Sequence, residues 1–239
     1  MTADDAAIRL RGVRKEYHSL RPLRIEEFEL HATDTVALIG FDRAAAEVLV
    51  NMITAATLPD EGDVVIFGCS TRDITTTDAW FSALDRFGIL SERVALVDEL
   101  TVWQNLALPL SLDFESMAPD LRRAVDALCA EVGISASEAE RPMGAAGAAT
   151  RLRVRLGKAL ALTPQVVLAE HPNASLPADA VAAFGRDLAS IASRRNIAVL
   201  LLTADAVFGA AACRRLLTLR PATGELAAST GWRRWLGGS

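Results

Sequence analysis

One tyrosine, three cysteines, no long apolar run and no excess of basic charge set the first limits on this chain of 239 residues. Cys69, Cys129 and Cys213 are far apart, odd in number and without a Cys-x-x-Cys pair. Neither a disulfide framework nor a zinc site is expected, and a reducing cytosol is the simplest setting. Lys and Arg number 25 against 30 Asp and Glu, a net charge of −5 that argues against a general nucleic-acid surface. No run of about 18 apolar residues occurs, so no membrane span is expected. The segment Met1-Thr2-Ala3-Asp4-Asp5 lacks the basic and apolar regions of a signal peptide. What is abundant is apolar: 51% of residues, with a mean hydropathy of +0.25 carried largely by alanine and leucine along helical segments. That suffices for one large core or two modest ones. The expectation is a soluble intracellular protein.

Read in order, the chain alternates strands with helices. Ala7–Val13 and Leu23–Leu30 have the period-two pattern of half-buried strands, and a breaker-rich turn, Pro59-Asp60-Glu61-Gly62, precedes the strand Val64–Phe67. Trp80, Phe81 and Leu84 have helical spacing, and Phe87–Leu90 returns to a short strand. Thr101 is a candidate N-cap, and Pro119–Val132 is an amphipathic helix with Leu121, Val125, Leu128 and Val132 in register. After the small-residue stretch Gly144–Ala149, a helix is expected over 150–162. Buried strands then follow at Val166–Ala169, Ala198–Leu202 and Arg214–Leu219, with a helix from Ala178 to about Arg194 between the first two. Continuous apolar strands between helices argue an α/β fold with a mostly parallel sheet covered on both faces. The expected divisions are 1–100 for the first part of the core, 101–150 for an inserted helical subdomain, 151–226 for the second part and 227–239 for a tail.

The stretch Val36–Ile53 is a strand ending at Gly40, a turn and a helix, the layout of a phosphate-binding P-loop. Its chemistry is missing. Counted against G-x-x-x-x-G-K-[ST] from Gly40, the second glycine falls at Ala45, the lysine at Ala46 and the hydroxyl at Glu47.

Four further segments carry a resemblance: Ile8–Tyr17, Pro59–Gly62, Leu100–Leu110 and Arg151–Pro164. In that order and spacing the chain, from about Ile8 to Leu226, resembles the ATP-binding subunit of ABC transporters. The resemblance implies a P-loop NTPase-type fold with an N-terminal antiparallel β segment and an inserted helical subdomain, with ATP and Mg2+ as cofactors. It assigns the nucleotide to Tyr17, Gly40, Asp42, Arg43, Ala46, Glu47 and Glu92, and the metal to Glu47 and Glu170.

Most of these positions are substituted relative to the family. Tyr17 holds the place of an adenine-stacking aromatic, with packing at a strand end as the equal alternative. Ala46 brings neither charge nor donor. Glu47 would set a carboxylate beside phosphate, a repulsion of roughly 4 kcal/mol per unit charge at ~4 Å and an effective dielectric of about 20. Arg43 is either a phosphate contact or, more simply, a solvated turn residue. Glu92 stands at the Q-loop glutamine and Glu170 at the Walker B aspartate. His171 stands at the catalytic glutamate, where a structural role is the simpler reading, and Ala204 at the switch histidine. The D-loop reads Ala174-Ser175-Leu176-Pro177, and the signature motif Ala146-Gly147-Ala148-Ala149-Thr150.

Because subunits of this family act in pairs, the resemblance implies a non-catalytic subunit with weak or absent ATP binding. It would pair with an intact ATPase subunit, or with itself, and couple to a membrane permease from the cytoplasmic face. Leu100–Leu110 resembles the subfamily handling lipids, lipoproteins or macrolides. The coupling groove would be bordered by Phe87–Val97, while Trp80, Phe81 and Trp103 read more simply as core. Two alternatives stay open: an unorthodox ATPase using Arg43 or Lys158 in place of the lysine, or a soluble regulatory module. The tail pair Trp232 and Trp235, flanking Arg233 and Arg234, would suit either an anionic membrane surface or a solvated end.

Overall fold

A computed structural model describes residues 6–228. The Trp/Arg tail lies outside the described residues. In chain order the strands and helices are β1 Ala6–Lys15, β2 Leu23–His31, β3 Thr35–Ile39, α1 Arg43–Ile53, β4 Glu61–Ile66, β5 Cys69–Ser70, α2 Thr77–Leu84, β6 Phe87–Ser91, α3 Val102–Ala107, α4 Pro119–Glu131, α5 Ala136–Ala139, α6 Ala148–Leu160, β7 Val166–Glu170, α7 Ala178–Arg195, β8 Ala198–Thr203, α8 Ala206–Ala212, β9 Arg215–Arg220 and β10 Glu225–Ala228.

Two sheets form. One is antiparallel with order β2-β1-β4-β5; the other has order β10-β9-β3-β8-β7-β6, parallel throughout except for the β10 edge. The unbroken apolar runs of β3, β7 and β8 follow from burial on both faces. Alternate side chains go to opposite sides. Val36, Leu38, Val166, Leu168, Leu200 and Leu202 pack toward α1 and the antiparallel sheet. Ala37, Val167, Ala169, Val199 and Leu201 pack toward α6, α7 and α8.

Local chemistry sets the helix ends. Thr101 caps α3 in a reciprocal box with Gln104, and α7 ends at a left-handed Asn196. Some boundaries differ from the sequence reading. The helix expected over 150–162 runs from Ala148 to Leu160, because Gly147 already adopts extended N-cap geometry; position 150 therefore falls inside a helix. Ala227 and Ala228 pair with Thr218 and Leu217 in β10, so the strand continues past residue 226. Phe81 is not a core residue: it is 52% exposed. Trp80 is half-buried and donates its indole N–H to the Thr54 carbonyl at 2.9 Å, tying α2 to the end of α1. Trp103 packs partly against the core and donates to Asp126 at 2.7 Å. Among the described residues, no helix is long and apolar enough to cross a membrane.

The helix α6 lies directly on β6, and Gly88 is the contact that allows it. A Cβ there would stand 2.2 Å from the Ala159 carbonyl oxygen and 2.9 Å from its carbon. Backbone cannot yield as a side-chain tip can. Gly88→Ala is therefore expected to cost about 1–3 kcal/mol, the usual penalty of overpacking, read as a lower urea midpoint; an unchanged midpoint would contradict this packing.

Candidate functional site at the strand ends

The register of the parallel sheet brings four strand ends to one edge. Ile39 pairs with Thr203, Leu202 with Glu170, and Glu170 with Ser91. This is where open α/β sheets place their ligands, beyond the carboxyl ends of the strands. The cavity at that edge measures about 100 Å3 and is lined by Arg43, Glu47, Ser91, Glu92, Arg93, Glu170 and His171.

The turn leading into α1 is short and capped by its own side chain. Gly40 has a φ of 94°, which glycine adopts readily, and the helix begins only three residues later at Arg43. Asp42 is its N-cap, and its carboxylate accepts the Ala45 N–H at 2.7 Å. One first-turn amide that could face a phosphate, that of Ala45, thus meets the chain's own anion. Ala46 is fully buried in the core beneath.

Above this turn the site is filled with charge. Glu170, at the end of β7, is only 7% exposed. Its carboxylate is held by Arg93, through Nε at 3.0 Å and through a second contact from Nη2. It also accepts the Ser91 hydroxyl at 3.1 Å. The remaining Arg93 nitrogen, Nη1, donates to Glu47 at 3.3 Å. Arg93 is itself 44% exposed, and its guanidinium pKa is raised by the Glu170 hydrogen bond. A neighbouring pair closes the rim. Arg43 donates to Glu92 at 2.7 Å, and Ser175 donates to the other oxygen of Glu92.

The remaining sequence candidates fall as follows. His171 lines the cavity with a strained φ of 41°, and its buried Nε2 has no hydrogen-bond partner among the described residues. Ala204 is exposed after β8. Tyr17 is half-buried against the core of the antiparallel sheet. Lys158 is elsewhere, on α6, donating to the Ala95 carbonyl at 2.8 Å. Glu47 and Glu170 are indeed brought together, around a guanidinium, and among the described residues no group of three or more His, Cys, Asp or Glu side chains is arranged to hold a metal. The sequence reading missed Arg93 and Ser91, and it named Ser175 only as part of the D-loop segment, without its bond to Glu92.

No protein-family model matches the chain. The ABC transporter ATP-binding protein YxdL of Bacillus subtilis (strain 168) is 26% identical over 208 residues, 87% of this chain and 79% of that protein. The lipoprotein-releasing system ATP-binding protein LolD of Psychrobacter arcticus is 26% identical over 192 residues, 80% of this chain and 84% of that one. This chain's homologues are ABC transporter ATP-binding proteins. The dimeric structure of MJ0796, a bacterial ABC transporter cassette, matches with a TM-score of 0.73, covering 92% of this chain and 96% of that one at 20% identity. The fold is that of an ABC cassette.

Glu92 is the rim carboxylate held by both Arg43 and Ser175. Its pKa is lowered by the Ser175 hydrogen bond first and by Arg43 after it, against the opposing effect of burial. A depressed carboxylate stabilises the fold above its unfolded pKa and loses that contribution as pH falls through the folded value. Glu92→Gln is therefore expected to be less stable than the parent at pH 7, and the gap should close as pH falls below the ordinary value of 4.5. Urea midpoints across that range check it; a gap that widens in acid would contradict the assignment.

Proposed function

We propose that this chain is a non-catalytic ABC-type subunit that pairs with an intact ATPase subunit and couples it to a membrane permease. The observation that carries the reading is the filled strand-end site, with Arg93 lodged between Glu47 and Glu170. A magnesium nucleotide needs free amides, a cationic side chain aimed at phosphate, and room. Here Asp42 takes the Ala45 amide at the helix start. The cations are taken by carboxylates, and Ala46 is buried. Pockets for small ligands run to about 300–1,000 Å3, against about 100 Å3 at this edge. The residues present do not fit the group.

The opposite end of the cassette supports pairing. Helix α6, unlike α1, starts at Gly147 with no side-chain cap, so its first amides stay free to face an anion. In a heterodimer the partner would supply the phosphate grip and the metal, and this chain would contribute the α6 end. Such a subunit would sit at the cytoplasmic face, held by the permease. The likeness to LolD, named for lipoprotein release, supports lipid or lipoprotein-type cargo.

Calorimetry with Mg-ATP tests the reading on the isolated chain and on its purified complex. The expected result is no binding by the chain alone, and ATPase activity of the complex that vanishes when the partner's phosphate-binding lysine is replaced. Tight binding by the isolated chain, abolished by Arg43→Ala or Glu170→Gln, would overturn it.

A further inference from the structure

We infer that Arg93 and Arg43 act as a built-in occupant of the strand-end site, fixing the start of the loop after β6 against α1 and against the turn after β7 with no ligand required. The guanidinium fork of Arg93 is fully spent: two nitrogens on Glu170 and the third on Glu47. One side chain thereby joins the loop after β6, the end of β7 and the first turns of α1. Arg43 makes the second link, from α1 to Glu92, and Glu92 passes it on to Ser175 in the segment between β7 and α7. The two links cross the same gap in opposite senses. In the first, α1 gives the carboxylate and the loop gives the cation; in the second the roles are exchanged.

Glu47, Glu92 and Glu170 already face Arg43 and Arg93, and Arg155 lies within electrostatic reach of Glu92, so the cationic charge at this edge is answered by the chain's own carboxylates. An added polyphosphate would have to displace a carboxylate from Arg93 before gaining a contact with it. Burial makes the Arg93 link hard to release, because freeing it leaves the Glu170 carboxylate nearly sealed from water and without its cation.

The outer half of the same loop has separate anchors. Asn105 is fully buried, donates to the Val97 carbonyl at 2.9 Å and accepts the Val97 N–H at 2.8 Å. Arg155 and Lys158 on α6 hold the Val94 and Ala95 carbonyls at 3.2 and 2.8 Å. The arginine links therefore govern the inner residues 91–93 and the 171–177 turn, leaving 97–100 as an internal control.

The inference rests on the reading that no nucleotide organises this site, and hydrogen–deuterium exchange separates the two. In Arg93→Met, exchange at 91–93 and 171–177 is expected to rise about tenfold or more while 97–100 and the β7 core stay unchanged. The double variant Arg93→Met/Glu170→Met removes the stranded charge and keeps the fold, and it should show the same local rise. Exchange within about twofold of the parent in both variants would overturn the inference. Adding Mg-ATP to the parent protein should change nothing. Protection by Mg-ATP there would sink the non-catalytic reading, while a local rise in the ligand-free variants would still uphold the arginine links.

Discussion

A carboxylate sealed at the end of β7 is the constraint around which the strand-end site is built. Glu170 sits in the middle of a parallel sheet edge, 7% exposed, and its charge has to be answered. The sheet register puts Ser91 beside it, and two residues further on the chain delivers Arg93. From that pairing follow the narrow cavity, the engagement of Glu47 and the close approach of the loop after β6 to α1.

The N-termini of α1 and α6 are capped in different ways. Helix α1 has its Ala45 amide bonded by the Asp42 N-cap, its first residue Arg43 paired with Glu92, and Ala46 turned into the core. Helix α6 opens at Gly147 without a side-chain cap. The asymmetric pairing proposed above would use this difference between the two helix ends.

Much of the fold was legible because continuous apolar strands have only one stable use, the inside of a covered parallel sheet. Thr101 and Gln104 announced the start of α3, and Pro119 that of α4. The short helix α8 and the edge strand β10 were not read. An alanine-rich seven-residue helix has little periodicity, and an edge strand of four residues has little burial. At the strand-end cavity, spacing from Gly40 pointed to Glu47 and the Walker B resemblance to Glu170, and both side chains meet Arg93 there. The early start of α1 was readable in principle. Asp42 is a strong N-cap, and Arg43-Ala44-Ala45-Ala46-Glu47 contains only good helix formers and no glycine that would favour a loop. Arg93 was not readable in this way, since its partner Glu170 lies 77 positions away and only the sheet register joins them.

The account depends on Arg93 and Glu170 being energetically coupled. A double-mutant cycle built from Arg93→Met, Glu170→Met and the pair, followed by urea unfolding at pH 7, measures that coupling directly. A coupling of about 1–3 kcal/mol is the predicted result. Additivity within about 0.5 kcal/mol would mean that the two side chains act independently, and the filled-site account would fail with it.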